Sequence, residues 1–303
     1  MEEVIIIGGG PAGMTAGIYA CRAKLKTLMV EKLVPGGQVL STDWVENYPG
    51  FPEGISGFDL VDRMRQQAER FGLSIVSDEV AGVDFSGSEK VIQGAGQTYR
   101  AKSVIIASGA MYKRLGVPGE ERLTGRGVSY CATCDGPFYQ GQEIAVVGGG
   151  DSAVQEAVYL TRFATKVYLI HRRDQLRATR VLQEKALANP KIEPIWKNVV
   201  ESIEGADQVE ALRIKNVDGS GGRTLEVQGA FIYVGIQPNT HWLQGAVSLD
   251  SQGFIPTDQN MATSIPGVFA AGDVRQKLVR QISTAVGDAA TAVLAVEEYL
   301  SSL

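Results

Sequence analysis

Sulfur and imidazole are scarce in this chain, which has 3 cysteines and 2 histidines in 303 residues. Three cysteines cannot build a disulfide scaffold. A structural zinc site usually takes four ligands, and the one Cys-x-x-Cys supplies two. Cys21 falls in the first helical segment, His171 among arginines and His241 far along the chain, so no metal is expected. Apolar runs are short as well, and none approaches the ~20 residues that cross a bilayer. Positive charge is not in excess: 29 Lys and Arg face 34 Asp and Glu, a net charge of -5. That balance offers no general attraction to nucleic acid or to an anionic membrane, so any phosphate must be held locally. Val4-Ile5-Ile6-Ile7 follows the first residues directly, so no basic leader or cleavage site is expected. A cytoplasmic, reducing location is expected, where a Cys-x-x-Cys is more often catalytic or metal-binding than a staple.

What the chain does have is one plan used twice. Val4–Ile7 reads as a buried strand, Pro11–Arg22 as a helix and Thr27–Val30 as a second strand. Ile144–Val147, Ser152–Phe163 and Lys166–Ile170 repeat it. Each unit leads to short alternating strands around a polar turn, Ser86-Gly87-Ser88 in the first and Asp218 to Gly222 in the second. Each then closes on an apolar strand ending in glycine, at Val104–Gly109 and Phe231–Gly235. A third such strand, Gly267–Asp273, has no nucleotide loop of its own. The fold class expected is α/β, with two Rossmann-like three-layer domains, the second inserted in the first, each with a small antiparallel meander. Residues 1–114 and 243–303 would form the first domain and 115–242 the second. Val117-Pro118-Gly119-Glu120 and Gly235 to Asn239 are the expected hinges.

The first loop is Gly8-x-Gly10-Pro11-Ala12-Gly13, after a strand and at a helix start. Its glycines permit a tight turn, close approach to a pyrophosphate and tight helix–strand packing, while the helix N-terminus favours the anion. Glu31 ends the next strand, near the ~20-residue spacing at which an acid holds an adenosine ribose. The second loop, Gly148-x-Gly150-Asp151-Ser152-Ala153, is followed by no acid but by His171-Arg172-Arg173 and Arg177. Guanidinium groups grip a 2′-phosphate where a carboxylate would repel it, so NADPH is expected there rather than NADH.

Cys131-Ala132-Thr133-Cys134 lies just ahead of the second loop. A pair of inert thiols would not explain the two-residue spacing; a redox disulfide does, with one thiolate lowered in pKa at a helix start. Asp135 follows, and both a turn-forming role and a proton-transfer role fit it. Cys21 reads as a small core residue.

Taken together, these motifs closely resemble the low-molecular-weight thioredoxin reductases of bacteria, essentially end to end. Gly36-Gly37-Gln38, Glu46 to Gly50, Cys131 to Asp135, Gly148 to Ala153, His171 to Arg177, Ala271-Gly272-Asp273 and Arg280-Gln281 carry the resemblance. It implies FAD in the first site, with Gln38 and Asn47 near the flavin and Asp273 by the ribityl and pyrophosphate region. Arg280 and Gln281 would lie at the start of the closing helix beside the flavin ring. It further implies that Cys134 faces the flavin, that Cys131 exchanges with thioredoxin, and that Asp135 is an acid/base. A homodimer and a rotating inserted domain are implied as well. The alternatives are an FAD-dependent dithiol oxidase or reductase with another disulfide substrate, and a non-enzymatic flavin-bound redox sensor. Glutathione-reductase-type enzymes fit poorly, because no cysteine falls between Arg22 and Tyr130.

Overall fold

The computed structural model describes residues 1–42, 44–243 and 245–303, with Ser41 described by its backbone alone. The chain opens with β1 (Glu2–Ile7), α1 (Pro11–Arg22), β2 (Thr27–Glu31), α2 (Gly57–Arg70) and β3 (Ser74–Ser77). A hairpin of β4 (Val80–Asp84) and β5 (Lys90–Gly94) follows, then the long β6 (Thr98–Ile106) and the short β7 (Ala110–Tyr112). Next come β8 (Val128–Ser129), α3 (Ala132–Asp135), β9 (Glu143–Gly148), α4 (Asp151–Leu160), β10 (Lys166–His171), α5 (Arg180–Leu187) and β11 (Ile192–Trp196). The meander β12 (Asn198–Glu204), β13 (Ala211–Asn216) and β14 (Gly222–Glu226) leads to β15 (Gly229–Tyr233) and β16 (Ile236–Pro238). The chain closes with β17 (Val268–Ala270) and α6 (Ile282–Ser301).

These elements form two compact units, Met1–Met111 with Gln237–Leu303, and Tyr112–Ile236. In the first unit the strand order is β3-β2-β1-β6-β5-β4, with β17 also on β6. β1 pairs in parallel with β2 and β6, while β5 meets the start of β6 antiparallel. One long strand thus joins the nucleotide-type sheet to the hairpin. β1 is buried along Val4–Ile7, the continuous apolar run of a parallel strand covered on both faces. α1 starts with Pro11, whose fixed φ and missing N–H suit a first helical turn. It ends as Lys24 turns left-handed, at φ 63°. α6 buries Ala285, Ala289, Ala292, Val293 and Val296, one stripe at helical spacing.

The second unit has the order β11-β10-β9-β15-β8 with a separate sheet β12-β13-β14. The chain leaves the first unit after Met111 and returns at Gln237, ahead of the expected passages at 115 and 242. The reason is local. Trp242 is buried in the core of the first unit, and Asn239 Nδ2 donates to Ser108 O at 2.8 Å. Val117–Glu120, one of the two expected hinges, lies within the second unit. The buried Glu120 carboxylate accepts from Leu115 N, Gly116 N and Tyr130 Oη at 2.7–2.9 Å, and Ile203 N donates to Pro118 O.

Candidate functional site

In the first unit the glycine loop is built by contacts that no larger residue permits. A Cβ on Gly13 would lie 1.8 Å from Gly8 O, and one on Gly8 (φ +107°) 2.4 Å from Ala107 O. Gly9 N donates to Glu31 Oε2 at 2.6 Å, and Leu33 N to the other carboxylate oxygen at 2.9 Å. The acid at the end of β2 therefore sits against the loop, and both its oxygens are already engaged by backbone. Gly37 backs onto Gly10, where a Cβ would come 3.2 Å from Gly10 Cα. Gly272, left-handed at φ +80°, presses on the first turn of α1, 2.9 Å from Ala12 Cβ by the same measure. Asn47 Nδ2 donates to Gln281 Oε1 at 3.0 Å, with Gln281 capping α6, and Gln38 Nε2 donates to Ala110 O. Segments far apart in sequence thus converge on one place.

Two buried polar atoms there have no hydrogen-bond partner among the described residues, Asp273 Oδ1 and Arg280 Nε. The Arg280 guanidinium lies 4.2 Å over the Phe254 ring. Burial pushes the Asp273 carboxyl up from its ordinary value, with Lys277 and Arg280 pulling it back. An unfilled acceptor and an unfilled donor beside an anion-binding helix start fit a ligand carrying hydroxyls and phosphates.

The second unit repeats the loop with different chemistry. Gly148 packs on Tyr233 O and on Ala153 Cβ, where a Cβ of its own would fall 2.5 and 2.7 Å away. Arg177 N donates to Gly149 O at 2.7 Å, which brings the arginine segment onto the loop. The ring of His171 lies against Gly149, as Glu31 lies against Gly9 in the first unit. His171 is buried, its Nε2 has no partner among the described residues, and its pKa is depressed. Burial is the chief cause, followed by the charges of Arg177, Arg173 and Arg172. Those three arginines are exposed and, among the described residues, in no ion pair within 4.0 Å. Asp151 has a structural duty, its Oδ1 accepting Thr179 N at 2.7 Å before α5, while Ser152 is exposed.

Cys131 and Cys134 are joined as a disulfide, with Cα atoms 5.3 Å apart. Cys131 stands at the N-cap of the single turn α3, and its own N–H donates to Ser129 Oγ at 3.0 Å. The next amide, Ala132 N, donates to Tyr233 Oη at 2.7 Å. Cys131 Sγ lies 3.4 Å from Thr133 Oγ1. Asp135 ends the turn, its N–H on Cys131 O at 3.1 Å. Burial raises the Tyr139 phenol to about 12, with the Asp135 charge adding to it. The Tyr233 phenol is likewise held well above its ordinary value, first by burial and then by Glu156. Burial raises Glu156 too. An oxidised dithiol at a helix start, with a phenol held protonated by burial on the next amide, can take up and release electrons together with protons.

The sequence of the chain matches the pyridine nucleotide-disulphide oxidoreductase family over residues 2–289. It is 48% identical to a thioredoxin reductase of Listeria innocua over 99% of this chain and 94% of that one. A thioredoxin reductase of Bacillus subtilis is 46% identical, over 99% and 95%. The crystal structure of thioredoxin reductase from Streptococcus pyogenes matches with a TM-score of 0.96 at 50% identity, covering 100% of this chain and 99% of that one. The chain belongs to the pyridine nucleotide-disulphide oxidoreductase family, in its thioredoxin reductase branch. Membership makes it an oxidoreductase and implies a flavin and a nicotinamide cofactor.

For a member of this branch, several site residues are invisible to motif reading. Tyr233 stood out only as the end of an apolar strand, and its hydroxyl contact crosses 101 residues of sequence. Glu156 and Tyr139 carry no spacing signal, nor does Asp288 beneath the Gly272 turn. Cys21 is buried and its thiol is raised by burial, as suits a core residue. Among the described residues no three His, Cys, Asp or Glu side chains gather as a metal site would need, and no helix is long and apolar enough to cross a membrane.

Proposed function

We propose that the chain is an NADPH-dependent thioredoxin reductase, with FAD in the first unit and NADPH on the second. The Cys131–Cys134 disulfide at the start of α3, in the same unit as an arginine-flanked nucleotide loop, carries this reading. The loop amides around Gly8, Gly10, Ala12 and Gly13, with Pro11 starting α1 beside them, would hold the FAD pyrophosphate, and Glu31 would face the adenosine ribose. Asp273 would accept a flavin-side hydroxyl, and Gly37, Gln38, Asn47, Gly272, Arg280 and Gln281 would line the site around it. Gly148, Gly150, Asp151, Ser152 and Ala153 shape the second loop; His171, Arg172, Arg173 and Arg177 receive the 2′-phosphate. When bound, the two cofactors supply a pair of electrons from nicotinamide by way of flavin.

The electron pair and a proton open the Cys131–Cys134 bond to one thiolate and one thiol. The Cys131 thiolate attacks a sulfur of the thioredoxin disulfide, forming a mixed disulfide and expelling the other sulfur as thiolate, to which Asp135 relays the proton of the Cys134 thiol. The deprotonated Cys134 then attacks Cys131 Sγ, restoring the internal disulfide and releasing the second thioredoxin sulfur as a thiolate that takes its proton from water. Thioredoxin is a strong reductant, at about −270 mV, which a reduced nicotinamide matches. The working form is a cytoplasmic homodimer. Steady-state assays with thioredoxin and NADPH or NADH, beside Cys131→Ser and Cys134→Ser, test this. Turnover with NADPH that either serine variant abolishes is expected; undiminished turnover in both variants would refute it.

A further inference from the structure

Behind the first site lies a largely buried charge cluster with no place in the dinucleotide motifs. Asp288, on the second turn of α6, accepts Gly272 N at 3.0 Å. It also receives Arg275 Nη1 at 2.7 Å and Lys277 Nζ at 2.7 Å, with all three side chains only 10–13% exposed. Arg275 is anchored a second time, Nε on Thr257 Oγ1 at 2.8 Å. One carboxylate thus fastens the 272–277 segment to α6 at its start, middle and end. Between these fastenings is Asp273, whose buried Oδ1 has no partner among the described residues. The turn that carries it leans on Ala12 at the start of α1.

The electrostatics make this arrangement conditional. Two largely buried cations share one carboxylate, and a cation withdrawn from water and stripped of its partner is strongly unfavourable. Lys277 also feels the Asp273 carboxyl, as does Arg280. Asp273 is therefore the next available partner for Lys277 should Asp288 lose its charge. We propose that Asp288 is a positioning residue for the first dinucleotide site: by occupying Lys277 and Arg275 it leaves Asp273 free to accept a hydroxyl of the bound flavin nucleotide. This rests on the assignment of FAD to the first unit.

The variant Asp288→Asn isolates the charge, because an asparagine oxygen can still accept Gly272 N. The full-length chain would be stripped of flavin, and FAD rebinding followed by flavin fluorescence in wild type, D288N, K277M and the double variant K277M/D288N. D288N is expected to weaken FAD binding at least tenfold. K277M/D288N, which removes the lysine that D288N alone would release toward Asp273, is expected to bind within about threefold of wild type. A cluster that merely stabilises the fold would make the double variant as weak as D288N or weaker, and that result overturns the proposal. So does D288N binding within twofold of wild type. If D288N cannot be recovered folded, the double variant decides alone: near-wild-type binding supports the proposal and a tenfold loss refutes it. Wild type that binds no FAD would instead refute the assignment of the first site, whatever the variants do.

Discussion

At the scale of single residues, the two nucleotide loops differ by what lies beneath their middle glycine. Under Gly9 a carboxylate accepts the loop amide, and under Gly149 a buried imidazole stands among arginines. Burial and the neighbouring guanidinium charges keep His171 neutral below its usual range, which has a sign that can be checked. The unfolded chain protonates the histidine near pH 6.5, the folded chain only at lower pH. Above the unfolded value the effect is silent. As pH falls through 6.5 toward the depressed folded value, the unfolded state gains protons first and stability is lost. His171→Asn removes this component. Urea midpoints without nucleotide should therefore fall more steeply from pH 7.5 to 5 in wild type than in the variant, and parallel curves would contradict the account. Tyr233→Phe leaves the Ala132 amide buried without its partner, at a cost of about 1–3 kcal/mol. The same urea measurement reads that loss, and an unchanged midpoint would show that the phenol does not hold the dithiol turn.

At the scale of elements, the glycine loops work because strand, loop and helix touch at backbone distance. Gly13→Ala would place a methyl 1.8 Å from Gly8 O, where nothing flexible can give way. The helix must shift off the strand, with an expected destabilisation of about 1–3 kcal/mol or more, and flavin retention should fall with it. Retention of flavin at the wild-type ratio through gel filtration would be the contrary result. Contacts of this kind were legible in sequence, since the fingerprint encodes them, and so were α1, the Ser86–Ser88 and Asp218–Gly222 hairpins, and the buried strands. The connections were harder to read. Pro118 and Gly119 have the composition of a hinge, yet a glutamate two residues from Pro118 pins that segment into the second unit. A side chain that folds back on backbone amides leaves no periodicity to detect. Asp288 and Tyr233 were missed for the same reason: their partners lie 16 and 101 residues away, on other elements.

At the scale of the molecule, two nucleotide-type units of one design differ in the charged side chains at their loops, Glu31 in the first and Arg172, Arg173 and Arg177 in the second. Replacing Arg172, Arg173 and Arg177 with glutamine should cost NADPH binding tenfold or more, since each charge-assisted bond is worth about 1.5–3 kcal/mol, while NADH binding changes little. Isothermal titration with both nucleotides checks this, and equal losses for the two would contradict it. The central claim is that electrons from NADPH reach the Cys131–Cys134 disulfide inside one chain. Anaerobic titration of the flavin-loaded protein with NADPH, followed by flavin absorbance and thiol content, tests it most directly. The account predicts that wild type consumes one two-electron equivalent for the flavin and a second for the disulfide, with both thiols appearing, while Cys134→Ser consumes only the first. Wild type that saturates after one equivalent with its disulfide intact would contradict it.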